Sequence, residues 1–156
     1  MGKEETYKLL VKQVASLIGG EHELVSILAN VAAALREAFA QRYWWVGFYL
    51  VKGGRLVLGP FQGPVACYSI GLGRGVCGTA WEQRKTMIVP DVEQFPGHIA
   101  CSAASRSEIV VPVLSQGGAV LCVLDIDSRQ LAAFDATDAQ YLQKICDVVA
   151  QQLQKR

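Results

Sequence analysis

The chain lacks most of the features that would tie it to a membrane, a nucleic acid or a disulfide framework. No apolar run approaches the roughly 18 residues that suggest a spanning helix. The first residues, Met1 to Glu5, are polar and acidic, unlike a signal peptide. Charge of neither sign dominates: 15 Lys and Arg against 14 Asp and Glu leave +1. No basic stripe interleaves with aromatics, so nothing points to nucleic acid. No pair of cysteines has the C-x2-C spacing of a zinc knuckle. Repeats and linkers are missing too. A cytoplasmic protein with no membrane or nucleic-acid partner is the expectation.

What is present is one domain's worth of sequence, residues 1–156, at 51% hydrophobic and 19% charged. Tyr7, Leu10, Val11, Val14, Leu17 and Ile18 recur at helical spacing until Gly19-Gly20 ends the run. A second helical stripe carries Leu24, Ile27, Leu28, Val31, Leu35 and Phe39. From Tyr43 to Val51 the pattern is aromatic and β-branched. Gly53-Gly54 then marks a hairpin into Arg55 to Leu58. Gly59 to Gly63 reads as a turn and Val65 to Ile70 as a short strand. A glycine-rich loop from Gly71 to Gly78 opens onto a short helix near Thr79 to Arg84. Thr86 to Val89 is a further strand, and Pro90 to Ser107 is irregular. Glu108 to Leu114 and Ala119 to Ile126 form a hairpin through Gln116-Gly117-Gly118. A last helix starts near Thr137, which with Gln140 has the form of a capping box. The sum is an α+β sandwich with helices on one sheet face. Packing of the first helix on the last could leave apolar surface for a homodimer.

Three groups of residues carry chemistry. Gly73-Arg74-Gly75-Val76-Cys77-Gly78 matches G-x-G-x-x-G, but a dinucleotide site needs a full βαβ unit around it. Here the glycines are better read as letting a loop approach a ligand or another segment closely. The five cysteines divide. Cys122 lies in a strand and Cys146 in a helix, where free cysteine is a small core residue. Cys67, Cys77 and Cys101 lie on or beside loops, where buried fillers, redox groups or zinc ligands with His98 all remain open. A Cys101–His98 hydrolase pair has no third, orienting group to support it. The third group is acidic. In Val123-Leu124-Asp125-Ile126-Asp127 the strand period puts both carboxylates on one face, and Glu108 opens the partner strand. Either they converge, repel and raise at least one pKa, or they are a solvated strand end. By the same alternation Trp45 shares a face with Tyr49, opposite Trp44 and Phe48.

Together, Trp45-Val46-Gly47-Phe48-Tyr49, Leu58-Gly59-Pro60-Phe61-Gln62-Gly63, the glycine motif, Gly97-His98-Ile99-Ala100-Cys101, Ser107-Glu108-Ile109-Val110 and Leu124-Asp125-Ile126-Asp127-Ser128 closely resemble the free methionine-(R)-sulfoxide reductases, which are single GAF domains. The resemblance covers nearly all of the chain past Glu5. It implies a GAF-like fold with a six-stranded antiparallel sheet, a homodimer, and no metal or organic cofactor. It also implies Cys101 as the attacking thiolate, Cys67 as its disulfide partner and Cys77 as a third cysteine used in recycling. Glu108, Asp125 and Asp127 would hold the substrate ammonium and assist protonation, with Glu108 or an aspartate as the proton donor. Trp45 and Tyr49 would surround the substrate methyl group, and a thioredoxin-like dithiol would be the reductant. The family pattern places an acidic residue after the catalytic cysteine, where this chain has Ser102. The alternative reading is a ligand-binding GAF sensor without chemistry. Such a sensor is expected to come with an output domain.

Overall fold

The computed structural model describes residues 1–99 and 104–155. Four helices and six strands follow in the order α1 (Lys3–Ile18), α2 (Leu24–Ala38), β1 (Trp45–Lys52), β2 (Arg55–Gln62), β3 (Ser69–Ile70), α3 (Gly75–Gln83), β4 (Met87–Val89), β5 (Ser107–Leu114), β6 (Val120–Ser128) and α4 (Ala136–Gln154). The strands make one six-stranded sheet in the order β3-β2-β1-β6-β5-β4. Every neighbouring pair is antiparallel. This is the α+β arrangement expected from the sequence.

Strand alternation divides the molecule into two apolar clusters. Val46 and Phe48 of β1, Ile109, Val111 and Val113 of β5, and Cys122, Leu124 and Ile126 of β6 join the stripes of α1, α2 and α4 in the main core. Trp45, Tyr49, Val110 and Val123 point the other way, into a smaller cluster with Val76, Cys77 and Ala80 of α3. Burying one such side chain contributes about 1.5–3 kcal/mol, so the three-helix face dominates stability. The first and last helices do meet: Tyr7 stacks on Tyr141 at 5.5 Å between centroids, and Tyr141 donates to Glu4 Oε1 at 2.9 Å.

Several local features differ from the expectation. Gly59 to Gly63 is not a turn. β2 runs on to Gln62, with a bulge against β1 between Gly47 and Tyr49. Gly59 and Pro60 are residue types a bulge accommodates. The strand expected at Val65 to Ile70 shrinks to Ser69–Ile70, because the chain before it folds over the second cluster instead of extending the sheet. Helix α3 begins four residues earlier than expected, at Gly75. Its glycines hide a helix that close packing requires: a Cβ on Gly78 would lie 2.4 Å from the Gly71 carbonyl oxygen. The capping box of α4 uses Asp135 and Asp138, not Thr137 and Gln140. Asp135 Oδ1 accepts from Thr137 N at 3.0 Å and Asp138 N at 3.4 Å. Asp138 Oδ2 accepts from Asp135 N at 2.9 Å.

Candidate functional site

The smaller cluster encloses a pocket of about 60 Å³. Its floor is the sheet. Antiparallel register sets Trp45 beside Asp127 and Asp127 beside Glu108, a row crossing β1, β6 and β5. The next row is Gly47, Asp125 and Val110. Gly47 keeps this part of the floor low, since a Cβ there would lie 2.7 Å from the Trp45 ring. Trp45 stacks against Tyr49 at 6.1 Å and against Phe61 at 5.2 Å. The two aromatics form an apolar wall next to the acidic one.

The opposite side is built by the glycine motif. Gly73 and Gly75 take positive φ angles of 73° and 60°, a conformation that glycine adopts at little cost. This turns the amino end of α3 onto the pocket, where Arg74, Gly75, Val76 and Cys77 line it. The motif therefore serves close approach, as its context suggested, and not a βαβ phosphate site. The 64–67 loop completes the wall through two hydrogen bonds. Trp45 Nε1 donates to Pro64 O at 3.0 Å, and Tyr49 Oη donates to Cys67 O at 3.0 Å.

The acidic floor is the unusual part. Glu108 and Asp125 are 6% and 5% exposed, and Asp127 is partly exposed. One oxygen of Asp125, one of Glu108 and the Cys77 sulfur lie within 4.8 Å of one another, and Asp125 Oδ1 has no hydrogen-bond partner. Ser105 Oγ donates to Asp127 Oδ1 at 3.2 Å. Burial, then the charges of Asp125 and Asp127, hold Glu108 well above the usual carboxylate range. Burial and Asp125 raise Asp127 likewise. Asp125 is raised by burial, against the lowering effect of Glu108, Cys77 and His98. The three acids converge on one pocket instead of ending the strands in solvent, and burial with mutual repulsion favours their protonated forms. His98, on the pocket rim, is lowered by burial against the opposing pull of Asp125.

The thiols separate by environment. Cys77 is a free thiol, 4% exposed, raised by burial and by the neighbouring carboxylates. Cys122 and Cys146 are free and buried in the main core, as expected; burial pushes Cys122 up to about 12. Cys67 is disulfide-bonded. Cys101, expected as the nucleophile, lies outside the described residues, as does Ser102. The structure thus brings together Trp45, Tyr49, Cys77, Glu108, Asp125 and Asp127 in one pocket, with the Cys67 carbonyl bonded to its wall.

Among the lining residues that escaped the sequence reading are Trp44, Arg74 and Ser105. Trp44 was expected beside Phe48, but it precedes β1 and so escapes the strand's alternation; it lines the pocket with Trp45. Arg74 was visible only as a variable position of the glycine motif. Ser105 lies in the irregular segment, where no period assigns a face.

A GAF domain profile matches residues 21–154. The chain belongs to the GAF-domain family. Its relatives narrow this further. "GAF domain-containing protein A" of Dictyostelium discoideum is 57% identical over 144 residues, covering 92% of this chain and 89% of that protein. The free methionine-R-sulfoxide reductase of Escherichia coli (strain K12) is 44% identical over 145 residues, covering 93% and 87%. The X-ray structure of free methionine-R-sulfoxide reductase from Neisseria meningitidis, in complex with its substrate, superposes with a TM-score of 0.95 at 48% identity, covering 99% of this chain and 92% of that one. Within the GAF domains, then, the chain is a member of the group containing the free methionine-R-sulfoxide reductases.

Proposed function

We propose that the protein reduces free L-methionine-(R)-sulfoxide to methionine by thiol chemistry. The observation that carries this reading is a pocket of buried carboxyl groups held above their usual range beside an aromatic wall, with the loop of the disulfide-bonded Cys67 hydrogen-bonded to that wall. A sulfoxide oxygen leaves sulfur only when protonated, so the reaction needs an acid that keeps its proton near neutral pH. Glu108, buried and held well above the usual carboxylate range, suits that role. Trp45 and Tyr49 offer an apolar surface to the S-methyl group. Asp125 and Asp127 suit the substrate ammonium, and Arg74 with the amino end of α3 suits its carboxylate. A peptide-bound methionine sulfoxide has neither charge to offer.

In this scheme the Cys101 thiolate attacks the sulfoxide sulfur while the oxygen is protonated. Oxygen passes to Cys101, which becomes a sulfenic acid, and methionine leaves with the electron pair. The Cys67 thiol condenses with the sulfenic acid, releasing water and forming a disulfide. A thioredoxin-like dithiol restores both thiols by exchange. Burial and neighbouring carboxylates raise the Cys77 thiol, which disfavours it as the nucleophile; its part in recycling follows from the resemblance to the reductases. No metal or organic cofactor enters the cycle. We place the protein in the cytoplasm, where thiols are kept reduced; no described helix is long and apolar enough to cross a membrane. Leu9 and Leu17, exposed on α1, and Val25 on α2 supply apolar surface for a homodimer.

The test is NADPH oxidation through thioredoxin and its reductase, with the free R epimer, the free S epimer and a peptide-bound sulfoxide in parallel. Turnover of the free R epimer alone is expected. No turnover of any substrate, with the thiols shown to be reduced, would overturn the proposal in favour of a ligand-binding sensor.

A further inference from the structure

The pocket floor gathers ligand atoms as well as acids. Cys77 Sγ, one carboxylate oxygen of Glu108 and one of Asp125 all lie within 4.8 Å of one another, and all three residues are buried. Ligand atoms around a tetrahedral zinc ion are roughly 3.5 Å apart, as bond lengths of about 2.0–2.3 Å require. The three atoms need to draw in by at most about 1.3 Å, within reach of a rotamer adjustment, to meet that geometry. A second observation points the same way. Asp125, 5% exposed, keeps a buried oxygen without a hydrogen-bond partner, and the side chain lines the pocket. A buried acceptor in that condition destabilises the fold until something binds it.

We propose that this floor is a site for one thiophilic divalent cation, zinc being the type ion, bound by Cys77, Glu108 and Asp125 and excluding the substrate. The set joins one soft and two hard ligands, which suits zinc and disfavours magnesium or calcium. Thiol and carboxyl protons pass to water as the ion enters. The fourth position opens on the pocket, where a solvent oxygen completes the shell. The ion is an inhibitor here, since it occupies the acids that the substrate ammonium would meet. That last clause rests on the functional proposal above; binding of the ion does not.

The disulfide form of the whole protein is the right sample, because the Cys67 sulfur is then not a competing ligand. Titration with cobalt(II), read by thiolate-to-cobalt charge-transfer absorption and reversed by zinc, should show one ion per chain. Cys77→Ser should abolish the band, and Asp125→Asn should weaken zinc binding at least tenfold. Cys146→Ala, on the far side of the sheet, should leave both unchanged. Added L-methionine should weaken zinc binding. Circular dichroism and thermal melts show whether each variant is folded, and Cys77→Ala serves if Cys77→Ser is not. Absence of a retained ion, or undiminished binding without the Cys77 sulfur, would overturn the proposal. Failure of the sulfoxide assay with intact zinc binding would remove only the substrate reading; the opposite pattern would remove only the cation site.

Discussion

Two buried acidic centres lie in this small domain, and they are built on opposite principles. Asp138, fully buried at the start of α4, is surrounded by donors. Lys3 Nζ lies 2.7 Å from Oδ2 and Tyr7 Oη 2.5 Å from Oδ1. Arg42 Nη2 is 3.6 Å from Oδ1, and Tyr43 bonds the Tyr7 hydroxyl in turn. On the other face of the sheet, Glu108, Asp125 and Asp127 share one pocket with no lysine or arginine salt bridge among the described residues. The first centre satisfies its charge internally and so ties α1 and α4 to the chain between α2 and β1. The second leaves positive charge to be supplied from outside, as protons or as a ligand. Paired burial marks structure here, and unpaired burial marks function.

The contrast is sharpest where activity is read. Glu108→Gln keeps the shape of a neutral acid but cannot give a proton. It should lower kcat about 10²- to 10⁴-fold with an unchanged or higher Tm, measured on the same preparation. A lost Tm with intact kcat would invert the comparison. Asp138→Ala should do the opposite. It strands Lys3 and Arg42 and costs about 3 kcal/mol, read by urea unfolding, while kcat of the folded fraction stays near wild type.

The pH dependence separates the two centres next. A carboxyl group raised in the folded state holds more protons there than in the unfolded chain. Its contribution is therefore fully present below the unfolded pKa of about 4 and is lost as pH rises towards the folded value. The stability of Glu108→Gln relative to wild type should thus grow from about pH 4 upwards. A flat difference would mean that Glu108 ionises normally. Smallest is Ser105→Ala. Losing its bond to Asp127 should cost about 1 kcal/mol of substrate binding, seen as a rise in KM with kcat little changed.

Much of this was legible in the sequence wherever a strict period operates. The period of two in β5 and β6 separates Ile109, Val111, Leu124 and Ile126 from Glu108, Asp125 and Asp127, so the acidic face could be read before any fold was known. The helical stripes of α1, α2 and α4 were equally plain. What escaped is held by tertiary contact. The start of α3 depends on Gly78 meeting Gly71 across a turn, while glycine argues locally against a helix. Asp138 as a capping partner depends on Lys3 and Tyr7, more than 130 residues away. Trp44, Arg74 and Ser105 reach the pocket from irregular chain, where spacing carries no facing information.

The bond from Tyr49 to the Cys67 carbonyl has one further meaning. It joins a side chain of the pocket to the backbone of a disulfide-bonded cysteine, so that the state of one can bear on the other. Thermodynamic reciprocity then works in both directions. If forming the disulfide changes ligand affinity tenfold through this bond, the ligand shifts the two-electron reduction potential by about 30 mV. A molecule that prefers the oxidised form makes the disulfide harder to reduce by that amount, and its departure makes the disulfide easier to reduce. A pocket so linked would act as a potentiometer, its occupant setting the dial.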